Sequence, residues 1–241
     1  MNSDFFAEGP QRDSRFKVVE RWSDCANFPM DHPERLVEFL HRQMNEEVNG
    51  LECSARGLSD FPEEDWNLRL CMARQCSDES RHAQMFRRLL ESKGGFVGQY
   101  PVLNFQYRII TKAPDLCSRM AIQNRSFEAG GIDAIAYSKD VAKKEGDTEL
   151  AELYEAQLAD EITHVRFANE WIRASIQKDP RNVLRVGNAL NMASKAFFQV
   201  MGKEGTEGVE YPADSVGRLE AGFTLEEIQL ASDLASGKSE R

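Results

Sequence analysis

The sequence predicts an all-α protein, a bundle of four long helices followed by a C-terminal helical extension. Apolar residues recur at three- and four-residue spacings from residue 34 to about residue 178, which is typical of amphipathic helices. The strict alternation of apolar and polar residues that indicates strands is almost absent. The periodic stretches are separated by segments rich in Gly, Pro and charged residues, which favour turns.

Most of the predicted helices begin or end at a local signal. Pro33 stands just before the first helical turn, and the segment SDFPEED supplies a break and a cap for the second helix. Thr224, with Glu227 three residues later, forms a capping-box pattern for the final helix. Residues 96–112 have no clean period and are predicted to be a crossover connection. The other predicted helices cover about residues 34–58, 62–92, 114–144, 147–178 and 183–201.

These elements divide the chain into three predicted parts. An irregular N-terminal segment covers residues 1–33, a four-helix bundle covers 34–178, and a helical extension packed on the bundle covers 179–241. The formal net charge of −10 argues against attraction to nucleic acid or to an anionic membrane. No apolar stretch approaches the roughly 20 residues that span a bilayer, and the N-terminus lacks a secretory pattern. Five cysteines occur without a CxxC pair, so we expect reduced thiols and a cytoplasmic protein.

A Glu-x-x-His motif occurs twice in a chain that has only four histidines. The first copy lies in SDESRHAQMF (residues 77–86) and the second in ADEITHVRF (159–167). Residues i and i+3 of a helix lie on one face, about 5–6 Å apart at Cβ, so each motif can present a carboxylate and an imidazole to one metal ion. The predicted ligands are Glu79 with His82 and Glu161 with His164.

Each motif is preceded by a similar segment that carries another glutamate. The segment EVNGLECSA (47–55) resembles EAGGIDAIA (128–136), and the spacing from Glu47 to Glu79 is nearly the same as that from Glu128 to Glu161. The first and second helix pairs therefore look like two copies of one design. Within the first pair, Glu47 is nearer to the predicted break at Asp60 than Glu79 is, so the loop or an irregular first turn must absorb the difference.

A glutamate from each of two helices and Glu-x-x-His from each of the other two is the ligand set of ferritin-like di-iron and di-manganese bundles. Four buried carboxylates would repel one another without a cation, and two divalent ions with two neutral histidines leave no net charge. Oxygen and imidazole donors suit iron or manganese. We therefore predict two iron ions, with Fe/Mn and Mn/Mn as alternatives.

Several residues near the predicted ligands have roles that the pattern assigns less directly. Glu46 competes with Glu47 as the ligand of the first helix, and the repeat favours Glu47. Asp78 and Asp160 precede the motif glutamates and are interpreted as partners that accept a histidine N–H and fix its tautomer. The remaining residues are interpreted in three groups: Glu52 and Asp133 as outer or surface groups, His32 and His41 as surface residues, and Gly50, Gly130 and Gly131 as serving either helix packing or space beside the metals.

The chain resembles a bacterial ferritin-like family of di-metal carboxylate proteins catalogued as a domain of unknown function. The resemblance covers about residues 34–230 and rests on EEVNGLE (46–52), DESRH (78–82), RSFEAGGID (125–133), ADEITHVRFANEW (159–171) and RLEAGFTLEEI (218–228). Two departures from the family pattern are Asn45, where a histidine is usual, and the doubled glycine Gly130–Gly131. The resemblance implies the fold and the metal site without settling the reaction.

The predicted function is that of an O2-dependent oxidase or oxygenase acting on a small organic substrate by hydroxylation, desaturation or N-oxygenation. The metals perform the activation, so no catalytic residue beyond the ligands is predicted. Electrons must come from an external donor such as a separate reductase, because the chain has no CxxC module and no Gly-rich dinucleotide loop. An iron-binding or ferroxidase storage protein, a tRNA-modifying hydroxylase and a metal-free scaffold are the alternatives, and a homodimer is left open.

Overall fold

The structure, a computed structural model, describes residues 5–29, 31–203, 205 and 211–235. The remaining residues, which include parts of the predicted N-terminal segment and C-terminal extension, lie outside the described residues. The predicted all-α helical bundle is confirmed. The helices are α1 (Arg35–Asp60), α2 (Trp66–Ser92), α3 (Phe105–Lys112), α4 (Leu116–Ile122), α5 (Ala129–Glu145), α6 (Thr148–Lys178), α7 (Asn182–Met201), α8 (Ser215–Glu220) and α9 (Leu225–Ala235).

The chain forms two compact units. The first comprises Met1–Arg119 and Asn188–Glu207, and the second comprises Met120–Gly187 and Gly208–Arg241. Among the described residues, no helix combines the length and the apolar character that crossing a membrane requires. The domain boundaries predicted after residues 33 and 178 stay predictions.

The first unit is organised around the pairing of α1 with α2. The short connection between them, residues 61–65, makes the two helices antiparallel, and buried side chains such as Leu40 and Phe86 form the apolar core. The side chain of Asp65 caps α2 by accepting hydrogen bonds from the backbone N–H groups of Asn67 and Leu68. This cap explains why α2 begins at Trp66, later than the predicted start at about residue 62.

Because α2 starts later than predicted, Glu47 and Glu79 no longer differ in their distance along the helix from the connecting loop. Glu47 lies as far before the end of α1 at Asp60 as Glu79 lies after the start of α2 at Trp66. The connecting loop therefore absorbs the difference, and the two glutamates lie at equal distances from it along their helices.

The segments predicted to be irregular contain short ordered elements. Strand β1 (Val18–Val19) pairs in parallel with β2 (Val102–Leu103) in the first unit. The predicted crossover of residues 96–112 contains both β2 and helix α3. Two-residue strands carry too little periodicity for a sequence pattern to reveal them.

The second unit is organised around α5 and α6, which turn at Gly146. This glycine has φ of +77° and ends α5 in the left-handed conformation that glycine adopts without steric cost. The side chain of Asp147 then caps α6 by accepting a hydrogen bond from the N–H of Leu150. The capping box of α9 is confirmed, since the N–H of Thr224 donates to Glu227 and the N–H of Glu227 donates to the Thr224 hydroxyl, at 2.9 and 3.2 Å.

The third predicted helix is not one regular α-helix. Residues Gln123–Glu128 form a π-helical segment between α4 and α5. The helical path predicted for residues 114–144 is therefore interrupted immediately before Ala129. π-Helical segments are rare and are often found at functional sites.

Candidate metal centre

The first half-site consists of Glu47, Glu79 and His82, and all three are buried in the first unit. His82 Nδ1 lies 3.3 Å from Glu47 Oε2 and 3.6 Å from Glu79 Oε2. One ligand atom from each residue lies within 4.8 Å of the others, which is the arrangement that a single ion needs. The histidine nitrogen therefore faces two carboxylates.

The second half-site consists of Glu128, Glu161 and His164 in the second unit. His164 Nδ1 lies 3.8 Å from Glu128 Oε2 and 3.3 Å from Glu161 Oε2. One ligand atom from each of these residues again lies within 4.8 Å of the others. The repeat in the sequence thus corresponds to the same three donor residues in each unit, with Nδ1 of the histidine within 3.8 Å of both glutamates.

Each half-site contains a glutamate whose negative charge is destabilised by burial, so that its pKa is raised. Burial raises the pKa of Glu128 to about 8, and the neighbouring Glu161 carboxylate contributes to this rise. Burial likewise raises the pKa of Glu47 to about 7, with contributions of opposite sign from His82 and Glu79. A bound cation would offset this cost, so the donors present fit a divalent metal in each half-site.

A glycine on α1 provides the space for one of the carboxylates. A Cβ atom added at Gly50 would lie 3.0 Å from Cδ and 3.1 Å from Oε1 of Glu79. Gly50 therefore makes room for the Glu79 side chain. In contrast, a Cβ added at Gly130 or Gly131 would have no atom of the described residues within 4 Å apart from its chain neighbours and the nearby backbone of its own helix.

Glu46, the competitor of Glu47, lies in different surroundings. Burial raises its pKa to about 7, while the Arg42 guanidinium and a hydrogen bond with Asn49 lower it. The structure thus brings Glu47 to His82, and it places Glu46 beside Arg42 and Asn49. The assignment of Glu47 as the ligand stays a prediction, and this geometry agrees with it.

The predicted roles of the two aspartates stay predictions. Asp78 is buried and forms ion pairs with Arg81 and Arg74, at 3.2 and 3.5 Å. Asp160 is half-buried on α6.

The prediction that His41 is a surface residue is wrong. Its side chain is fully buried in the first unit, and Nε2 accepts a hydrogen bond from the N–H of Gly98 at 2.9 Å. Burial lowers the pKa of His41 to about 4. His32 is half-buried and stacks on Phe28 with ring centroids 4.5 Å apart. The helical pattern around His41 could not reveal its burial, because its partner lies on a distant segment.

Comparison with known proteins assigns the chain to a family. A family model described as "Protein of unknown function (DUF455)" matches residues 2–229. The chain belongs to the DUF455 family. It is also similar to an uncharacterized protein of Haemophilus influenzae, with 25% identity over 156 residues that cover 64% of this chain and 51% of that protein. The chain thus spans about half the length of this curated relative, and no solved structure matches.

Sequence reasoning missed buried amide side chains beside the candidate ligands of this DUF455 protein. Gln75 Nε2 donates a hydrogen bond to Glu79 Oε1 at 3.1 Å. Gln157 has the same position relative to Glu161 and is 2% exposed. The signal was present, because the repeated motif is in fact Gln-x-x-Asp-Glu-x-x-His in both copies.

The backbone of the second half-site also has a feature that the sequence did not indicate. Glu128 is the last residue of the π-helical segment, and Asn124 within that segment donates a hydrogen bond to the His164 carbonyl at 3.2 Å. The segment is thereby tied to the helix that carries the other two donors of this half-site.

Proposed function

We propose that this DUF455 protein is a ferritin-like di-iron carboxylate protein that acts as an O2-dependent oxidase or oxygenase on a small organic substrate. The observation that carries the proposal is the duplicated half-site, in which a histidine Nδ1 faces two glutamates in each unit, none of them more than 12% exposed. A chance cluster of acidic residues would not repeat the same donors, the same spacing and the same ring nitrogen. The six donors match the ligand set of di-iron and di-manganese carboxylate bundles.

Charge supports a metal pair over a metal-free function. The two half-sites contain four glutamates, and a histidine whose Nδ1 binds a metal is neutral. Two ferrous ions would neutralise the four carboxylates, whereas the metal-free protein would have to keep some of them protonated. The donors include no thiolate, which favours iron or manganese.

The protein's contribution to the reaction would be to hold the donors and exclude water. Ferrous ions held by these donors would supply electrons to dioxygen. A separate reductase would then return electrons to the iron. The hydrogen bond from Gln75 orients the Glu79 carboxylate, whose Oε2 lies 3.6 Å from His82 Nδ1. Every ligand side chain is at most 12% exposed, so the donors lie away from bulk water.

Anaerobic titration with Fe²⁺, followed by mixing with dioxygen and a panel of small substrates, tests the proposal. We expect about two irons per chain, a transient visible absorption after mixing, and oxygen incorporation into or oxidation of a panel member. Glu161→Gln should reduce the bound iron, while Glu170→Gln, an exposed acid on the same helix, should leave it unchanged. Absence of tight iron binding would overturn the proposal, and steady growth of a mineral core would favour storage instead.

A further inference from the structure

Each of the two helices α1 and α5 carries a second acid five residues beyond the predicted glutamate ligand. On α1 this is Glu52, five residues after Glu47, and on α5 it is Asp133, five residues after Glu128. Five residues correspond to about 140° of helix rotation, so these acids lie on the flank of the helix relative to the ligands. Both are bound by an arginine from a distant part of the chain.

In the first unit the arginine comes from the N-terminal strap, defined as residues 5–16. Arg12 donates to Glu52 through Nε and Nη2, with the Nη2–Oε2 distance at 2.7 Å. The same guanidinium donates to the side-chain oxygens of Asn45 and Asn49. Arg12 therefore contacts three positions along one flank of α1, and its side chain is only 5% exposed.

The two asparagines that Arg12 contacts on α1 also bind the backbone of β2. Asn45 and Asn49 each donate a side-chain hydrogen bond to the Leu103 carbonyl, at 2.8 and 3.3 Å. Asn45 thus links Arg12 to the Leu103 carbonyl. These contacts lie two residues on either side of Glu47, which restricts the rotation of α1 about its axis.

In the second unit the arginine comes from the C-terminal strap, defined as residues 211–228. Arg218 donates to both oxygens of Asp133, at 2.9 Å from Nε and 2.6 Å from Nη2. The N–H of Asp214 in the same strap donates to Asp133 as well, at 2.9 Å. Both side chains of the Arg218–Asp133 pair are 12% exposed.

The C-terminal strap also contacts the segment that leads to Glu128. Arg125, inside the π-helical segment, forms an ion pair with Glu227 and lies over the Phe223 ring at 4.7 Å. The strap residues involved belong to the RLEAGFTLEEI motif, which contains no predicted metal ligand. The contacts give this motif a physical role.

We infer that Arg12 and Arg218 are positioning residues, each of which sets the rotation of a glutamate-bearing helix and so the place of its metal-binding carboxylate. A two-point guanidinium–carboxylate pair fixes orientation as well as distance, which a lysine cannot do. The inference rests on the proposed function, because it assigns these arginines a task toward the metals.

The test examines one half-site at a time with Co²⁺ as the probe. His164→Ala in the full chain leaves the first half-site intact, and His82→Ala leaves the second. In the His164→Ala background, Arg12→Gln and Glu52→Gln should each weaken Co²⁺ binding about tenfold and shift its visible absorption bands. In the His82→Ala background, Arg218→Gln and Asp133→Asn should do the same, while Arg12→Gln should have no effect.

Matched controls separate positioning from general stability. Arg56→Gln removes an α1 arginine that pairs with Asp60 at the surface, and Lys143→Gln removes an α5 lysine that pairs with Glu155. Both should leave Co²⁺ affinity and spectrum unchanged. If the Gln variants do not fold, Arg12→Lys and Arg218→Lys carry the same test, since lysine keeps the charge and loses the two-point contact.

The outcomes distinguish the two proposals. If the parent chain does not bind Co²⁺, the proposed function and this inference both fail. If the parent chain binds Co²⁺ and neither single-histidine background does, the two half-sites are not independent and this inference alone fails. If the backgrounds bind Co²⁺ and the arginine variants lower only the unfolding midpoint, with affinity and spectrum unchanged, the arginines are merely structural and this inference alone fails.

Discussion

The two half-sites use the same donor atoms but are built on different backbones. Glu47 lies in the middle of the regular helix α1, whereas Glu128 ends a π-helical segment. The first half-site is tight, because Gly50 leaves just enough room for the Glu79 carboxylate. On α5, a Cβ added at Gly130 or Gly131 would have no atom within 4 Å outside its chain neighbours and the nearby backbone of its own helix, and Gly130 is exposed. The two copies of the repeat therefore share the candidate ligands, and the backbones that carry Glu47 and Glu128 differ.

The largest expected effect comes from removing the histidine of either half-site in a single variant. His82→Ala and His164→Ala should each reduce the iron bound per chain by about half, because each deletes a donor from one ion only. Anaerobic iron titration with elemental analysis measures this. His32→Ala, which removes a histidine stacked on Phe28, should retain full iron content. Equal iron in all three variants would contradict the duplicated site.

The glycines of α1 and α5 sharpen the comparison between the two helices that carry Glu47 and Glu128. Gly50→Ala should weaken iron binding about tenfold, since its Cβ would push the Glu79 carboxylate away from Gln75 and the ion. Gly131→Ala should instead raise the free energy of unfolding by up to about 1 kcal/mol, as alanine favours helices. Iron titration and thermal unfolding of the two variants measure these effects. Equal iron affinity in the two variants would show that Gly50 is not needed to make room for the Glu79 carboxylate.

The stability of the metal-free protein should depend on pH through the buried glutamates. The pKa values of Glu47 and Glu128 are raised to about 7 and about 8, above the value of about 4.5 expected for an unfolded glutamate. The folded state therefore binds more protons, and stability falls as pH rises from about 4.5 through 8. Chemical unfolding of metal-free protein across this range measures the slope.

Metal binding should reverse the trend, because the ions favour the charged carboxylates. Added Fe²⁺ or Mn²⁺ should stabilise the protein more at about pH 8 than at about pH 5.5. Glu47→Gln and Glu128→Gln should each reduce the dependence of the metal-free protein's unfolding free energy on pH. The effect of Glu128→Gln should extend to higher pH, because the pKa of Glu128 is the higher of the two. A profile that is flat in the parent protein would be inconsistent with buried, uncompensated carboxylates.

The smallest expected effect concerns the capping box of α9. Thr224→Ala removes the hydroxyl that accepts the Glu227 N–H, and it should lower the free energy of unfolding by about 1 kcal/mol. Denaturant unfolding measures the loss. Ser232→Ala, in the same helix, removes only a bond to the Ile228 carbonyl and should change stability less. Iron binding at either half-site should not change.

The features that the sequence predicted well are local in the chain. The long helices follow from their apolar period, the α9 cap from two residues three apart, and the Glu-x-x-His pairs from one helical turn. The predicted start of α2 is too early because the side chain of Asp65 acts as its cap, and several acidic residues of the preceding loop could have done so. The π-helical segment has no pattern by which it could have been foreseen.

By itself the sequence determined the helical class, the duplicated motif and the pairing of a glutamate with a histidine in each copy. Only the tertiary structure decided that Glu47 faces His82, that His41 is buried against Gly98, and that Glu52 and Asp133 are held by Arg12 and Arg218. The physical reason is the range of the interactions. Contacts within one helical turn are set by residue spacing, whereas those between segments 40 or 85 residues apart depend on how the whole chain packs.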